Sequence, residues 1–219
     1  MTAVAGRPLP RAFYGRDPVT VAGAVLGRLL VHDSPRGRVS GRIVEAEAYR
    51  GADDPASHAY RGPTPRNATM FGAPGHAYVY FTYGMHHCLN LVTGVPGKGS
   101  AVLVRALEPV EGIELMRDRR GVTDTLRLAR GPGNVACALG LTRAHDGLDL
   151  TSGALWISDL PPRRGRHPVT RGPRIGIRVG LDRDWRRYLR GHPCVSTPRG
   201  APPAAAGGPG AEGRARIRV

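Results

Sequence analysis

A single mixed α+β domain is what the sequence predicts, and three observations carry the prediction. Extended periodicity recurs in four segments between Gly41 and Glu108, helical spacing with capping signals stands before and after them, and 219 residues suffice to bury one core. In chain order, Asp17 and Pro18 give an N-cap and first-turn signal, with Val21, Val25 and Leu29 following at helical spacing. From Gly41 the pattern becomes extended: R-I-V-E-A-E-A-Y, A-Y-V-Y-F-T, H-C-L-N-L-V-T, and A-V-L-V-R-A-L-E from Ala101 to Glu108 read as successive strands of one sheet. Tyr83-Gly84-Met85 reads as a hairpin tip, because a single Gly supplies the positive φ such loops require.

A helix is expected after Pro109, with Ile113 and Met116 on its inner side and Gly121 near its end, and another near Asn134. Ala154–Ser158 and Arg174–Val179 read as strands, and Asp184-Trp185 as the opening of a short helix ending near Gly191. Residues 1–12 are expected to be flexible, 13–196 to form the folded domain, and the Pro/Ala/Gly-rich segment 197–219 to be disordered.

Thirty-two Lys and Arg residues against 17 acids give a formal net charge of +15, which favours a polyanionic partner, nucleic acid first. Codon composition rich in Arg, Ala, Gly and Pro is the other source of such an excess. Lys98 is the only lysine, so nearly all positive charge is guanidinium, which forks onto phosphate bidentately. Cys88, Cys137 and Cys194 stand far apart and read as reduced thiols. The N-terminal segment lacks an apolar signal core, and no apolar run approaches membrane-spanning length; a cytoplasmic protein without a membrane partner is expected.

Strand alternation places Glu45, Glu47 and Tyr49 on one face. Two same-face glutamates suggest acid–base chemistry; an exposed polar face on an edge strand is the alternative, and spacing does not choose between the two acids. In the hairpin, Tyr80 and Asn90 share a face if the turn holds an odd number of residues, setting an aromatic plane beside an amide able to read a base edge. Ordinary packing by a tyrosine-rich hairpin is again the alternative. Tyr83, Met85 and His86 crowd bulky groups at the tip, where they can serve as a wedge between base steps. His58, His76, His86 and His87 have no cysteine pair or carboxylate at ligand spacing, so no metal is expected. The G-P-G-N turn at Gly131 offers backbone N–H groups to a phosphate only weakly.

The run R-I-V-E-A-E-A-Y, Ser57-His58, T-P-R-N at Thr64, Met70-Phe71, Y-V-Y-x-x-Y-G-M-x-x-C-x-N and V-R-A-L-E-P at Val104 resembles the alkyladenine (3-methyladenine) DNA glycosylase family. The resemblance continues through Gly131-Pro132, R-I-G-I at Arg174 and L-R-G-x-P-x-V-S at Leu189, and so spans Pro18 to Ser196 in order. It implies a curved antiparallel sheet forming an open barrel, flanked by helices, with one hairpin projecting into the minor groove of double-stranded DNA. It implies a monomer that needs no cofactor. By the same resemblance Glu47 is the general base, positioned by Arg105, and Ile175 offers its carbonyl to the attacking water. Tyr49, His58 and Tyr80 line the pocket for a flipped base, Asn90 disfavours a guanine-type amine, and Tyr83 intercalates with Met85 beside it. The chain departs from the family pattern at His86, where many members carry an aromatic, and at Asn134, where some carry a basic residue.

Two further expectations follow from the residue types. A Schiff base needs an amine, and only Lys98 and the N-terminus provide one, so a monofunctional enzyme leaving an intact abasic site is expected. No general acid is assignable for a neutral leaving group, so cationic alkylpurines are the expected substrates of choice over hypoxanthine. A catalytically silent damage-binding module is the competing reading, disfavoured because binding alone needs neither Glu47 nor Arg105.

Overall fold

The computed structural model describes residues 6–82 and 84–196. The described residues form one mixed α+β unit built on an eight-stranded, wholly antiparallel sheet. The chain enters through a short helix α1 (Arg11–Tyr14) and α2 (Pro18–Ala24), continues through β1 (Leu29–Ser34), β2 (Gly37–Arg50), β3 (Ala77–Thr82), β4 (His86–Thr93) and β5 (Ser100–Glu111), then α3 (Ile113–Arg120) and α4 (Pro132–Leu139), and ends in β6 (Leu155–Ile157), β7 (Val169–Gly172) and β8 (Arg186–Leu189). Residues at the boundary expected to be flexible make bonds of their own: Leu9 N–H donates to the Ile157 carbonyl at 2.8 Å.

The main path of the sheet runs β3-β4-β5-β2-β1-β6, and β8 joins β2 with β7 outside it. The fourteen residues of β2 make it the axis of the molecule. β5 accompanies β2 along its length, while β1 pairs its first half and β8 pairs Glu45 to Glu47 in its second. The edge-strand reading of the glutamate pair is therefore overturned. Register shifts at Ser40/Gly41 and on both sides of Glu45 break the β2–β5 ladder, and such bulges bend and twist a strand, which curls the sheet into a half-barrel. Arg105 has no partner in that register, since Glu45 pairs with Ala106 and Ala46 with Val104. One sheet face, carrying Val44, Ala46, Ala48, Val102, Val104 and Ala106, is sealed against the main core. α2 packs on β2, α4 on β4 and β5, and α3 on α4.

The capping signals hold: Asp17 accepts from the Val19 N–H at 2.9 Å, and Gly121 closes α3. α4 starts at Pro132 rather than near Asn134, because proline fits the first helical position, where no N–H is needed. Two readings are corrected. Arg174–Val179 is not a strand; Gly176 adopts φ +80° and turns the chain, and the Arg174 side chain points into the protein interior. Arg186–Leu189 is strand β8 rather than a helix, because the second half of β2 offers an unpaired ladder and buried Glu45 draws in Arg186. The Tyr83 wedge and the 197–219 tail lie outside the described residues.

Gly51, at φ +59°, turns the chain out of β2, and a Cβ there would press into the Lys98 carbonyl oxygen. Gly51→Ala is expected to cost about 2 kcal/mol or more, seen as a fall in Tm of at least ~4 °C in thermal unfolding.

Candidate active site

The open face of the half-barrel holds a groove of about 1220 Å³, larger than a closed pocket for a small ligand (~300–1,000 Å³), and lined by residues from β2, β3, β4, β5 and the segment after β7. From β2, Tyr49 lines it. Alternation turns Glu45, Glu47 and Tyr49 away from the core, as read from the sequence, yet both glutamates are fully buried because β5 and β8 flank them and the segment around Ile175 covers them.

The two acids have different environments. Glu45 is enclosed by donors: Arg186 Nε at 2.6 Å, Arg105 Nε at 3.3 Å and the Ser196 N–H at 2.7 Å. Glu47 faces the groove residues: its Oε1 accepts from the Ile175 N–H at 2.7 Å, and its Oε2 from the Tyr49 hydroxyl at 3.0 Å and Arg105 Nη1 at 3.3 Å. Burial pushes the Glu47 carboxyl above its ordinary value; Arg105 and the Ile175 N–H oppose this, Glu45 adds to it, and the Tyr49 hydroxyl opposes it least. Burial likewise raises Tyr49 well above the usual tyrosine range, so its hydroxyl stays a proton donor to Glu47. Arg105, aimed by its bulge, is the hub: it bonds Glu45, Glu47 and Ser196 Oγ, and its Nη1 lies 3.5 Å from the Ile175 carbonyl.

The hairpin supplies an aromatic wall. Three residues separate Thr82 from His86, an odd count, and the register pairs Tyr78 with Asn90 and Tyr80 with Cys88, so Tyr80 and Asn90 share a face. Tyr78 shares it too, as alternation along the strand requires, although the sequence reading gave it no place in the pocket. The Tyr78 and Tyr80 rings stack at 5.4 Å with a 29° interplanar angle, and His58 meets Tyr80 edge-on at 4.5 Å. His58 Nδ1 lies 3.2 Å from the Tyr78 hydroxyl; burial, with Arg66 nearby, lowers the His58 pKa, so the ring is neutral near pH 7. Burial pushes the Tyr78 phenol up to about 12. Asn90 spends one N–H on the Tyr78 carbonyl at 3.2 Å and lines the groove beside it.

At the mouth, Met85 is 70% exposed at the hairpin tip, and exposed His86 rests near Gly133 of α4. Arg120, Arg127, Arg130 and Arg178 surround the opening, giving it the charge to hold phosphates. Asn134 turns inward to the Arg130 carbonyl at 2.7 Å. Lys98 is exposed and does not line the groove. Among the described residues no three His, Cys, Asp or Glu side chains converge to hold a metal, and no helix is long and apolar enough to cross a membrane. Sequence reasoning also missed the buried pair Asp54–Arg174, whose members lie 120 residues apart and carry no local signal.

Opposite stability effects distinguish the acids. Folding raises the Glu47 pKa, so its contribution to stability is largest below the unfolded pKa and is lost as pH rises through the folded one. Glu47→Gln, which mimics the neutral acid, is expected to melt no lower than the parent at pH 8, with the difference shrinking as pH falls. Glu45→Gln removes one member of a buried charge cluster and is expected to cost about 3 kcal/mol or more, roughly 6 to 12 °C in Tm.

Comparison with known proteins adds the family. Residues 12–193 match the family model described as methylpurine-DNA glycosylase. A Burkholderia lata protein named "Putative 3-methyladenine DNA glycosylase" is 50% identical over 199 residues, 88% of this chain and 93% of its own length. Relatives of the same name from Methanoculleus marisnigri (52% identity, 86% of this chain, 98% of theirs) and Chlorobaculum tepidum (46%, 87% and 91%) match similarly. The chain belongs to the methylpurine-DNA glycosylase family, and is a hydrolase acting on DNA in repair.

Proposed function

We propose that this protein flips alkylated purines such as 3-methyladenine and 7-methylguanine out of duplex DNA and hydrolyses their N-glycosyl bond, leaving an intact abasic site. One observation carries the reading: Glu47 is held, fully buried, by three groups of groove-lining residues, the Ile175 N–H, the Tyr49 hydroxyl and Arg105, in a groove whose aromatic wall fits a base. In this mechanism ionised Glu47 activates water, whose oxygen bonds to C1′ as the C1′–N bond breaks; the proton passes to the carboxylate and the electron pair leaves with the base. The same negative charge stabilises the oxocarbenium-like sugar. Arg105 orients the carboxylate, and the Ile175 carbonyl, only 3.5 Å from Arg105, accepts from the water with its free lone pair.

Tyr49, His58 and Tyr80 line the base site, where a cationic purine gains roughly 0.5 to 2 kcal/mol per ring contact. Such a base also leaves without protonation, which makes cationic lesions the better substrates; hypoxanthine and ethenoadenine are the harder ones. Asn90 disfavours a guanine-type amine. Tyr83, which lies outside the described residues, with Met85 and His86 at the tip, enters the minor groove and offsets the few kcal/mol of unstacking. The enzyme works as a monomer, without a cofactor, on the DNA of the cytoplasm.

Glu47→Gln is expected to bind a 7-methylguanine duplex as the parent does and to release base at least ~10²-fold more slowly; release at the parental rate would sink the reading. Borohydride is expected to trap no covalent DNA adduct, since the sole lysine lies away from the groove, and 3-methyladenine is expected to leave faster than hypoxanthine.

A further inference from the structure

A buried ion pair outside the catalytic cluster ties two distant parts of the chain together at the back of Glu47. Asp54 ends the turn that follows β2, and Arg174 opens the irregular segment after β7. Their side chains meet as a fork: Nη1 donates to Oδ2 at 2.5 Å and Nη2 to Oδ1 at 2.8 Å, with both side chains fully buried. Nη1 also donates to the Ala48 carbonyl at 3.1 Å, between Glu47 and Tyr49 on β2. The remaining Asp54 valences accept from the N–H groups of Arg50 at 3.3 Å and Ala56 at 3.1 Å. The guanidinium lies 4.7 Å from the Tyr49 ring centroid and 5.2 Å from that of Trp185.

We propose that Asp54 and Arg174 are positioning residues for the glycosylase reaction, a clamp that holds the Ile175 backbone where its N–H grips Glu47. The geometry supports this in three ways. Ile175 is the next residue after Arg174, and its N–H reaches Glu47 Oε1 at 2.7 Å. Between β7 and β8 the chain has no ladder, so side-chain anchorage sets where Ile175 sits. The same guanidinium backs the ring of Tyr49, whose hydroxyl is the second donor to Glu47. A buried ion pair is in general no more stabilising than apolar residues of similar size, so stability alone does not call for one here, and two of the donors that hold Glu47 depend on it.

The charged and titratable groups facing Glu47 are Glu45 and Tyr49 from β2, Arg105 from β5, Arg186 from β8 through Glu45, and Arg174 beside the Ile175 N–H. Loosening the clamp removes the Ile175 N–H from the carboxylate while Arg105 stays. The charged form of Glu47 then loses a donor, and the acid limb of the rate profile moves to higher pH. Arg174→Lys separates geometry from field, because it keeps the positive charge and loses the fork.

The inference rests on Glu47 being the base. The test is single-turnover release of 7-methylguanine from a duplex by the full chain, followed from about pH 4 to 9, with Tm measured alongside. Arg174→Lys is expected to lower the maximal rate by about 10-fold or more, to change duplex affinity little, and to move the acid limb upward. The double variant Asp54→Asn with Arg174→Met leaves no unpaired charge in the interior, and in a folded form is expected to behave the same way. Parental rate and limb in both variants overturn the clamp, as does an equal loss at every pH with the limb unmoved, or a shift confined to the double variant. Unfolding of both variants likewise overturns it, since the pair would then be structural. Failure of the underlying reading looks different, because Glu47→Gln would then release base at the parental rate.

Discussion

Everything in this molecule is arranged around one physical difficulty, the burial of two glutamates two residues apart on a single strand. Two carboxylates in the interior repel each other and lose hydration, and the fold accommodates them by placing Arg105 and Arg186 among them. Two negative and two positive groups leave the cluster balanced. The balance is uneven in space: Glu45 receives Arg186, Arg105 and the Ser196 N–H, while Glu47 shares Arg105 and depends on single N–H and O–H donors. Burial holds the Glu47 carboxyl above its ordinary value, and its donors come from the groove-lining residues Tyr49, Arg105 and Ile175. Polar groups fixed in place before the reaction cost no reorganisation when charge develops.

The sheet topology follows from that requirement. β2 has partners on both sides, so neither glutamate reaches water from an edge. The bulges around Glu45 curl the sheet and leave Arg105 outside the regular ladder, aimed between the acids. β8 closes the second half of β2 and delivers Arg186; the chain after it returns Ser196 to Glu45. The β3–β4 hairpin has a dry face on the core and a face of Tyr78, Tyr80 and Asn90 toward the groove. Strands thus hold both the carboxylate and the aromatic wall, while Met85 after β3 stays exposed.

Much of this was legible in the sequence because it is local. Period-2 alternation put Glu45, Glu47 and Tyr49 on one face, an odd turn would put Tyr80 and Asn90 on one face, as the register does, and Asp17 with Pro18 marked a helix start. What escaped is long-range. Alternation does not say whether a strand is central or an edge, so it left the exposure of the glutamates open. The periodic Ile175, Ile177 and Val179 mimic a strand, but Gly176 breaks the extension and Arg174 is drawn to an aspartate 120 positions away. The Asp184-Trp185 helix signal yields to the free ladder of β2, a tertiary demand that outweighs a local cap. The resemblance chose Glu47 over Glu45; in the structure both acids take donors from groove-lining residues, Glu47 from Tyr49, Arg105 and Ile175 and Glu45 from Arg105 and Ser196.

Membership of the methylpurine-DNA glycosylase family and the charge cluster meet in a single quantity, the ionisation of Glu47. It is read most directly in the parent protein by the pH dependence of single-turnover base release from a duplex carrying 7-methylguanine, a cationic base that leaves without being protonated. The expected rate rises with pH through one ionisation lying above the ordinary glutamate value and then stays level. A rate that does not change across that range, or that falls as pH rises, would contradict it.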